Sequence, residues 1–344
     1  MVTTQPSERP KRRDCVKTSW RGVPVKERVD HFKSIWISTV PLEQVKAVIR
    51  DKAAKCKLCE ESEGVLIIIE SGGGKTALVS QLKMEHPDDE LDDRSIRPIV
   101  ELHLPNPCTS QKLDLALLNA IGVQDATSTR AFDRKDRAIN LMSACQTIFV
   151  VVDNFQDVPE HRDKGGVRKI GNWFRDLIDD RRVSILLVLL GTKEARAVRV
   201  ANTQVRRRAM TVMQVDYFRI DSAETIRLWR TFLKDYDLNL PLADLCCLEE
   251  PAMAVRLFIA CNGILDFLRE LILEAILIVV PAGRERIDIL DLEVAYKKVH
   301  CDVAKGGNPF ATDFNRKSLT SEGDAFFQME RGSAGRPGQH ERQA

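Results

Sequence analysis

The sequence predicts an α/β fold with a five-stranded parallel sheet, followed by a small unit made only of helices. Over the first two thirds of the chain, apolar runs of strand length alternate with stretches of helical spacing. This alternation is typical of a parallel sheet that helices cover on both faces. After Asp221 the spacing becomes wholly helical, which predicts a second, all-α unit. A glycine-rich loop directly after the first strand indicates where the sheet binds a ligand.

Each predicted strand is an apolar run, and the crossovers between strands are expected to be right-handed. The five predicted strands are Val65–Ile69, Pro98–Leu104, Thr147–Asp153, Ser184–Leu190 and, approximately, Met210–Phe218. Helical spacing in the same part of the chain covers residues 31–60, Lys75–Met84, Ser110–Ile121, Ala131–Cys145 and Val167–Asp180. The all-α unit has four predicted helices, at Ser222–Tyr236, Pro251–Ala260, Leu265–Val279 and Leu290–Val299.

The composition divides the chain into four parts. Residues 1–30 are rich in Lys, Arg, Pro and polar residues, and we expect a flexible basic arm there. Residues 31–221 then form the α/β domain, and residues 222–304 form the helical domain. Residues 305–344 are rich in Gly, Ser, Arg and Gln, a composition that is typical of a disordered tail.

Charge and hydropathy favour a globular protein of the cytoplasm. The 344 residues carry a net charge of only +2, so overall charge does not predict nucleic-acid binding, although a local basic face could support it. Met1–Pro10 lack the apolar segment of a signal peptide. The apolar stretch Leu271–Val280 is too short to span a bilayer and contains Glu274. We therefore expect no membrane association.

The nine cysteines have no framework spacing, and reduced thiols are expected. Cys56 and Cys59 form the only C-x-x-C pair, and the second ligand pair that a zinc site needs is missing from the sequence. These two cysteines are therefore interpreted as structural residues rather than metal ligands.

The first predicted strand runs directly into the sequence Ile-Glu-Ser-Gly-Gly-Gly-Lys-Thr. Gly72, Gly73 and Gly74 allow backbone N–H groups to close around phosphate oxygens, because no Cβ stands in the way. Lys75 can reach β- and γ-phosphates, and the hydroxyl of Thr76 can bind Mg²⁺. A helix that starts at Lys75 also points its positive end at the anion. The loop predicts ATP binding with Mg²⁺.

The partners of such a loop follow in the expected order along the chain. Asp153 ends the third predicted strand, where it can hold Mg²⁺ through water, although it could also be a turn residue that ends the strand. Asn154 comes next; an amide can orient water but cannot accept its proton, and Asp157 could substitute for the missing acid. Thr192 ends the fourth strand, where it either contacts the γ-phosphate or simply makes a turn. Ile69 stands where the pattern G-x-x-x-x-G-K-[ST] has Gly.

Three consecutive arginines, Arg206, Arg207 and Arg208, precede the fifth predicted strand. Arginines in this place could act on the nucleotide of a neighbouring subunit and stabilise transition-state charge. The alternative is a solvated basic run, which would account for two of the three.

With these motifs the chain resembles the TniB/TnsC group of AAA+ ATPases, the regulators of transposons that use a DDE transposase. The resemblance covers about residues 25–300 and depends on the order and spacing of several short stretches. These are Gly64–Thr76, His86–Pro87, Ile148–Asn154, Leu189–Ala195, Gln204–Arg208, Leu240–Leu242, Asn262–Gly263 and Gly283–Asp288.

The resemblance implies a P-loop AAA+ core, a helical lid domain and an ATP-dependent function in a bacterial, nucleoid-associated protein. Members of the group assemble side by side on double-stranded DNA as rings or filaments. They recruit the transposase and link it to a target-selection factor. By this resemblance Gly72, Gly74, Lys75 and Thr76 would bind the triphosphate and Mg²⁺.

The resemblance also assigns the remaining catalytic roles. Asp153 would be the Walker B acid and Thr192 the sensor, and Arg208, four residues after Gln204, would be the arginine finger. Ile69 replaces the first glycine of the loop and Asn154 the usual glutamate; each departure weakens hydrolysis more than binding, so this chain is expected to be a slow ATPase or a protein that binds ATP without turnover. A second sensor arginine is also missing, because Asp266 and Phe267 stand where relatives often have Gly-Arg; Arg269 offers a substitute.

DNA contact is implied by the resemblance rather than by the composition. The loops Pro107–Lys112 and Ala126–Arg130 would face the duplex in an assembled filament. Lys112, Thr127, Thr129 and Arg130 can bond phosphate oxygens, and Arg134, Lys135 and Arg137 extend the basic stretch on a helix. A solvated helix face would have the same appearance. Contact with the backbone would be independent of DNA sequence and strongly dependent on salt.

Three functions remain open at this point. The leading one is an ATP-binding regulator of transposition that oligomerises on duplex DNA. The second is a nucleotide-binding assembly scaffold with little or no turnover, as Ile69 and Asn154 suggest. The third is another cytosolic AAA+ or STAND-type NTPase, which would usually carry an appended domain that residues 300–344 are too short and too polar to form.

Overall fold

Two compact units make up the chain in the computed structural model. The first is Ser38–Tyr217, and the second combines the residues up to Ile37 with those from Phe218 onward. The structure describes residues 20–300 except 129, 159–163, 202, 209 and 210, together with 307–321, 324 and 326.

The first unit is built on a five-stranded parallel sheet, as the sequence predicts. The strands of the chain are β1 (Glu63–Ile69), β2 (Asp89–Glu90), β3 (Ser95–Ile96), β4 (Ile99–His103), β5 (Phe149–Asp153), β6 (Leu186–Gly191) and β7 (Thr211–Val215). The sheet has the order β4-β5-β6-β1-β7, and all its neighbours pair in parallel. β2 and β3 form a separate antiparallel hairpin, which the sequence does not predict because the pair is only two residues long on each side.

Helices cover this sheet and separate its strands. The helices of the first unit are α2 (Val40–Cys59), α3 (Lys75–Glu85), α4 (Ser110–Ile121), α5 (Arg134–Ala144), α6 (Lys164–Ile178), α7 (Ala195–Ala201) and α8 (Thr203–Arg208). The central strands are buried on both faces, so a continuous run of Val, Ile and Leu forms each of them. The short helices α7 and α8 are absent from the sequence-based prediction.

The second unit is helical and begins with a helix that the sequence does not separate from the next one. Its helices are α1 (Val25–Ser34), α9 (Ala223–Asn239), α10 (Pro251–Cys261), α11 (Leu265–Val279) and α12 (Ile289–Val299). The region predicted as helical at 31–60 contains the end of α1 and the whole of α2, separated by the non-helical residues 35–39, and the two helices belong to different units.

Residues 25–30 form part of α1 rather than of a flexible arm. The buried side chain of a basic residue holds this segment in place. Arg28 is only 2% exposed, and its guanidinium bonds both carboxylate oxygens of Glu285 at 2.7 and 2.8 Å. Such a charge can be buried because it is paired in bidentate geometry. Phe32, one turn later, is also buried. The remainder of the predicted arm, residues 1–19, lies outside the described residues.

Ordered structure also continues beyond residue 304, where the helical domain is predicted to end. Three apolar side chains in this part of the chain are at most 2% exposed, those of Phe310, Leu319 and Phe326. Arg256 donates to the carbonyl of Ala311 at 3.0 Å. The rest of the predicted tail, residues 327–344, lies outside the described residues. None of the helices described is long and apolar enough to cross a membrane.

Candidate nucleotide site

The glycine-rich loop joins β1 to α3 at the carboxyl edge of the sheet. Gly72 and Gly74 have φ of +75° and +102°, a region that residues with a Cβ rarely adopt. A Cβ on Gly73 would lie 2.8 Å from Cγ2 of Ile69, closer than real Cβ contacts, and 3.0 Å from the carbonyl oxygen of Glu70. Gly72 and Gly74 are therefore favoured by the backbone of this loop, and Gly73 by the close approach of the Ile69 side chain.

Ile69 is accommodated by one of these glycines. The side chain is fully buried, and Ile69 is the last residue of β1, where it pairs with Val215 of β7. Its Cγ2 lies next to the place where Gly73 has no side chain. The departure from the phosphate-loop pattern at position 69 is thus compensated at position 73.

The loop has the donors that a triphosphate needs. No side chain caps the first turn of α3, so the N–H groups at this helix N-terminus are available to an anion. Nζ of Lys75 donates to the carbonyl of Ile69 at 2.9 Å, which holds the ammonium group beside the loop. Thr76 is exposed at the same helix end. These residues fit a bound triphosphate with Mg²⁺ on the Thr76 side.

A tyrosine that the sequence does not single out also holds the loop. The hydroxyl of Tyr217, two residues after β7, donates to the carbonyl of Ser71 at 2.6 Å. Only the position of an aromatic residue at the end of the fifth strand could have indicated it.

Asp153 ends β5 at the same edge of the sheet as the loop. β6 lies between β5 and β1, so the ends of β5 and β1 are two strand spacings apart, roughly 10 Å. The N–H of Asn154 donates to Oδ1 of Asp153 at 2.8 Å. Asn154 itself has φ of +52°, a conformation that Asn tolerates better than most residues. The carboxylate therefore has its second oxygen available for a metal ion or its water.

A chain of hydrogen bonds joins the strand ends around the loop. The N–H of Thr192 donates to Oε1 of Gln156 at 3.1 Å, and Nε2 of Gln156 donates to Oδ1 of Asn154 at 3.3 Å. The N–H of Lys193 donates to Oε1 of Glu70 at 3.0 Å. The predicted residues Asn154 and Thr192 are thus brought together through Gln156, a residue that sequence reasoning missed.

The acids near this edge differ in what they contact. The hydroxyl of Thr192 donates to the carboxylate of Glu194, and this bond holds the pKa of Glu194 below its usual value. Asp157 is exposed and ends a short 3₁₀ turn, Phe155–Asp157. Its N–H donates to the carbonyl of Asn154, but none of the described side-chain hydrogen bonds joins Asp157 to the network.

Arg208 lies at the opposite edge of the sheet. It ends α8, and its Nε donates to Oδ1 of Asp179 at 2.8 Å; this ion pair raises the pKa of Arg208. Both residues border a cleft of about 650 Å³ between residues 59–62, which precede β1, and residues 178–181, which precede β6. Arg206 and Arg207 are exposed. Within one chain, therefore, Arg208 does not belong to the phosphate-loop edge.

The residues predicted to contact DNA lie on the surface of the same unit. Lys112, Thr127 and Arg130 are exposed, and the hydroxyl of Thr127 donates to Asp125 at 2.8 Å. Thr129 lies outside the described residues. Lys135 is less suited to bind phosphate, because its ammonium packs 5.5 Å from the ring centre of Trp173 and burial lowers its pKa.

The residues at the expected second sensor position contact their own helical unit. The ring of Phe267 packs against those of His300 and Phe326. Arg269 donates to the carbonyl of Lys33, and its guanidinium lies 5.9 Å from the ring centre of Phe32.

The two cysteines of the C-x-x-C pair differ in their surroundings. Cys56 is buried and Cys59 exposed, and burial raises the pKa of Cys56.

Comparison with known proteins adds a family and a fold to this geometry. The family model described as "Bacterial TniB protein" matches residues 33–217, more than half of the chain. No curated protein matches the sequence.

Several solved structures share the fold. The ORC2 protein of Aeropyrum pernix in its ADPNP–ADP complexes has a TM-score of 0.55 at 12% identity, over 78% of this chain and 70% of that chain. The ADP form of the same protein gives 0.54 at 13% identity, over 80% and 74%. Cdc6p of Pyrobaculum aerophilum gives 0.50 at 12% identity, over 78% and 70%. At such identities the likeness establishes the fold alone.

Proposed function

This chain belongs to the bacterial TniB family, and on that premise we propose that it is an ATP-binding AAA+ regulator of transposition. It oligomerises on double-stranded DNA, recruits a DDE transposase and couples that enzyme to target selection. The observation that carries the proposal is the separation of the phosphate loop from Arg208. Within one chain Arg208 lies at the amino-terminal ends of the strands and the phosphate loop at their carboxyl ends, so Arg208 cannot reach the nucleotide of its own chain.

The phosphate-loop edge supplies the groups that hold the nucleotide. Lys75 and the N–H groups of the loop and of the first turn of α3 bind the β- and γ-phosphates. Thr76 and Asp153 hold Mg²⁺, which neutralises phosphate charge when it is bound. Thr192 contacts the γ-phosphate end of the site from β6.

Arg208 completes the site of a neighbouring copy. β1 has seven residues, so its two ends, and with them the two edges of the sheet, are roughly 20 Å apart. An Arg side chain cannot cover that distance within its own chain. Copies that stack the cleft of one against the phosphate loop of the next bring the guanidinium to the triphosphate, where it balances charge. Such head-to-tail contacts generate rings or helical filaments.

A second candidate is a scaffold that binds ATP with little or no turnover. It is favoured by the amide of Asn154, which cannot accept a proton, and by the hydrogen bonds that engage the carboxylates of two nearby acids. Oε1 of Glu70 accepts the N–H of Lys193, and the Glu194 carboxylate accepts the hydroxyl of Thr192. Water at the γ-phosphate would then meet an amide at position 154, and a proton acceptor would have to come from Asp157, three residues further on.

The DNA-binding part of the proposal is supported by exposed basic and hydroxyl side chains of the first unit. Lys112, Thr127 and Arg130 offer donors to phosphate oxygens. Thr129 completes this set as a prediction from the family resemblance. The transposase and the target-selection partner are likewise proposed from the family.

Assembly on DNA tests the proposal through Lys75. Mass photometry and electron microscopy of wild-type protein on duplex DNA should give rings or filaments with a non-hydrolysable ATP analogue and none without it. Lys75→Ala removes the phosphate contact and should abolish the assemblies, whereas Lys57→Ala, an exposed lysine on α2, should leave them unchanged. Nucleotide-dependent assembly of Lys75→Ala protein at wild-type concentrations would contradict the proposal.

A further inference from the structure

We propose that Gln156 is a positioning residue that makes Asn154 a hydrogen-bond donor toward the γ-phosphate, and so sets the preference of the site for ATP over ADP. The inference rests on the proposed nucleotide-binding function and deepens it. Gln156 lies on the 3₁₀ turn after β5. It contacts both residues that the sequence assigns to the γ-phosphate end, Asn154 and Thr192.

The direction of each hydrogen bond follows from one backbone group. An N–H can only donate, so the N–H of Thr192 must meet the oxygen of the Gln156 amide, at 3.1 Å. The nitrogen of that amide then faces Asn154, 3.3 Å from its Oδ1. Because a side-chain NH₂ can only donate, Asn154 must present its oxygen to Gln156. The orientation of both amides is thereby fixed by the backbone N–H of Thr192, directly after β6.

The consequence for Asn154 is that its own NH₂ group points away from Gln156. Its remaining capacity is therefore mainly that of a donor. A glutamate at this position would offer only acceptors and could take a proton from water. An amide NH₂ can instead bond a phosphate oxygen, and a bond between a neutral donor and an anion is stronger than one between neutral groups.

The packing around Gln156 allows its side chain to enter between the strand ends. A Cβ on Gly191 would lie 3.0 Å from Oε1 of Gln156 and 2.6 Å from Cβ of Ala195. Glycine at the end of β6 therefore leaves room both for Gln156 and for the start of α7. The side chain is partly buried, and its bond from the N–H of Thr192 is partly shielded from water, whereas its bond to the exposed Asn154 is open to solvent.

This arrangement lets the site distinguish ATP, which has a γ-phosphate, from ADP. ADP lacks the γ-phosphate, so the Asn154 NH₂ contributes to ATP binding only. Loss of one hydrogen bond to a charged group lowers affinity roughly tenfold. Removal of the Gln156 amide should therefore lower the ratio of ATP to ADP affinity by roughly threefold to tenfold, because Asn154 can then also turn its oxygen toward the phosphate.

The test compares the binding of fluorescent ATP and ADP analogues with full-length protein, with the thermal midpoint measured in parallel. Gln156→Met keeps the length of the side chain and removes both hydrogen bonds. Gln156→Glu keeps the acceptor for the Thr192 N–H but cannot donate to Asn154. Both variants should lower the ATP:ADP affinity ratio and keep the thermal midpoint close to that of wild type. Gln124→Met, the same substitution at an exposed site, should change neither quantity.

A double-variant comparison separates positioning from a structural role. If Gln156 acts through Asn154, Gln156→Met should not change the ratio further in an Asn154→Ala background. A fall in both affinities together with the thermal midpoint, or an unchanged ratio in Gln156→Met, would overturn the inference. A wild-type ratio in Gln156→Glu would overturn it as well. Failure of wild-type protein to bind either nucleotide would instead contradict the proposed function and remove the inference with it.

Discussion

At the scale of single residues, the structure changes the interpretation of Ile69 more than that of any other residue in the loop. The sequence alone suggests that a missing glycine weakens ATP hydrolysis. In the structure Ile69 is a fully buried residue of β1 whose Cγ2 fills the space beside Gly73. The position beside the strand end that requires glycine is 73 rather than 69. The side chain of Ile69 therefore contributes to core packing and not to ATP hydrolysis.

Variants at 69 and 154 therefore have different expected effects. Ile69→Gly removes a buried side chain and adds a glycine to a strand, which should lower the free energy of unfolding by about 3–5 kcal/mol. Asn154→Glu supplies an acceptor for a proton and should raise phosphate release without a comparable loss of stability. Urea unfolding and phosphate release in the presence of DNA measure both effects. A rise in phosphate release from Ile69→Gly alone would show that position 69 affects ATP hydrolysis and would contradict this interpretation. Ile69→Val, which keeps the strand packing, is the matched control.

The residues that the sequence could not reveal share one property, which is that their partners are distant along the chain. Tyr217 bonds the carbonyl of Ser71 and Gln156 bonds the N–H of Thr192, and no local pattern encodes these pairs. Lys75, Asp153 and Thr192 could be predicted, because each follows a strand whose apolar run is visible. Their roles stay predictions until a nucleotide is bound.

At the scale of elements, strands are predicted more reliably than helix boundaries. The five parallel strands are confirmed, because a strand buried on both faces must be a continuous apolar run. α1 was hidden by Arg28, whose burial beside Glu285 cannot be inferred from a basic stretch. α7 and α8 were missed because they are only seven and six residues long and their arginines interrupt the apolar spacing.

The end of α12 supports a prediction about pH. His300 caps this helix, is 7% exposed and lies beside the rings of Tyr296, Phe267 and Phe326. Burial lowers the pKa of His300, because the apolar surroundings disfavour the charged imidazole.

The sign of the effect follows from the lowered pKa. Above the pKa of His300 in the unfolded chain, about 6.5, the imidazole is neutral in both states, so its protonation does not make the free energy of unfolding depend on pH. As the pH falls below that value, the unfolded chain binds a proton that the folded chain does not, so stability is lost. Urea unfolding at pH 7.5 and 5.5 should therefore show a smaller loss for His300→Phe than for wild type. An equal loss in both proteins would contradict this assignment.

At the scale of the whole molecule, the central claim is that the chain is one half of each nucleotide site. The phosphate loop and Arg208 are at opposite edges of the same sheet, and Arg208 is paired with Asp179 in the free protomer. Assembly would exchange this carboxylate for the phosphate of a neighbour. The pair is partly exposed to solvent on both sides, at 29% and 44% of the side-chain surface, so its loss costs at most about 1 kcal/mol and does not prevent the exchange.

The most direct test of this claim is the position of Arg208 in protein assembled on duplex DNA with a non-hydrolysable ATP analogue, determined by cryo-electron microscopy. We expect its guanidinium to lie about 3 Å from a γ-phosphate oxygen bound to the adjacent copy. A filled phosphate loop with Arg208 still bonded to Asp179 of its own chain would contradict the account.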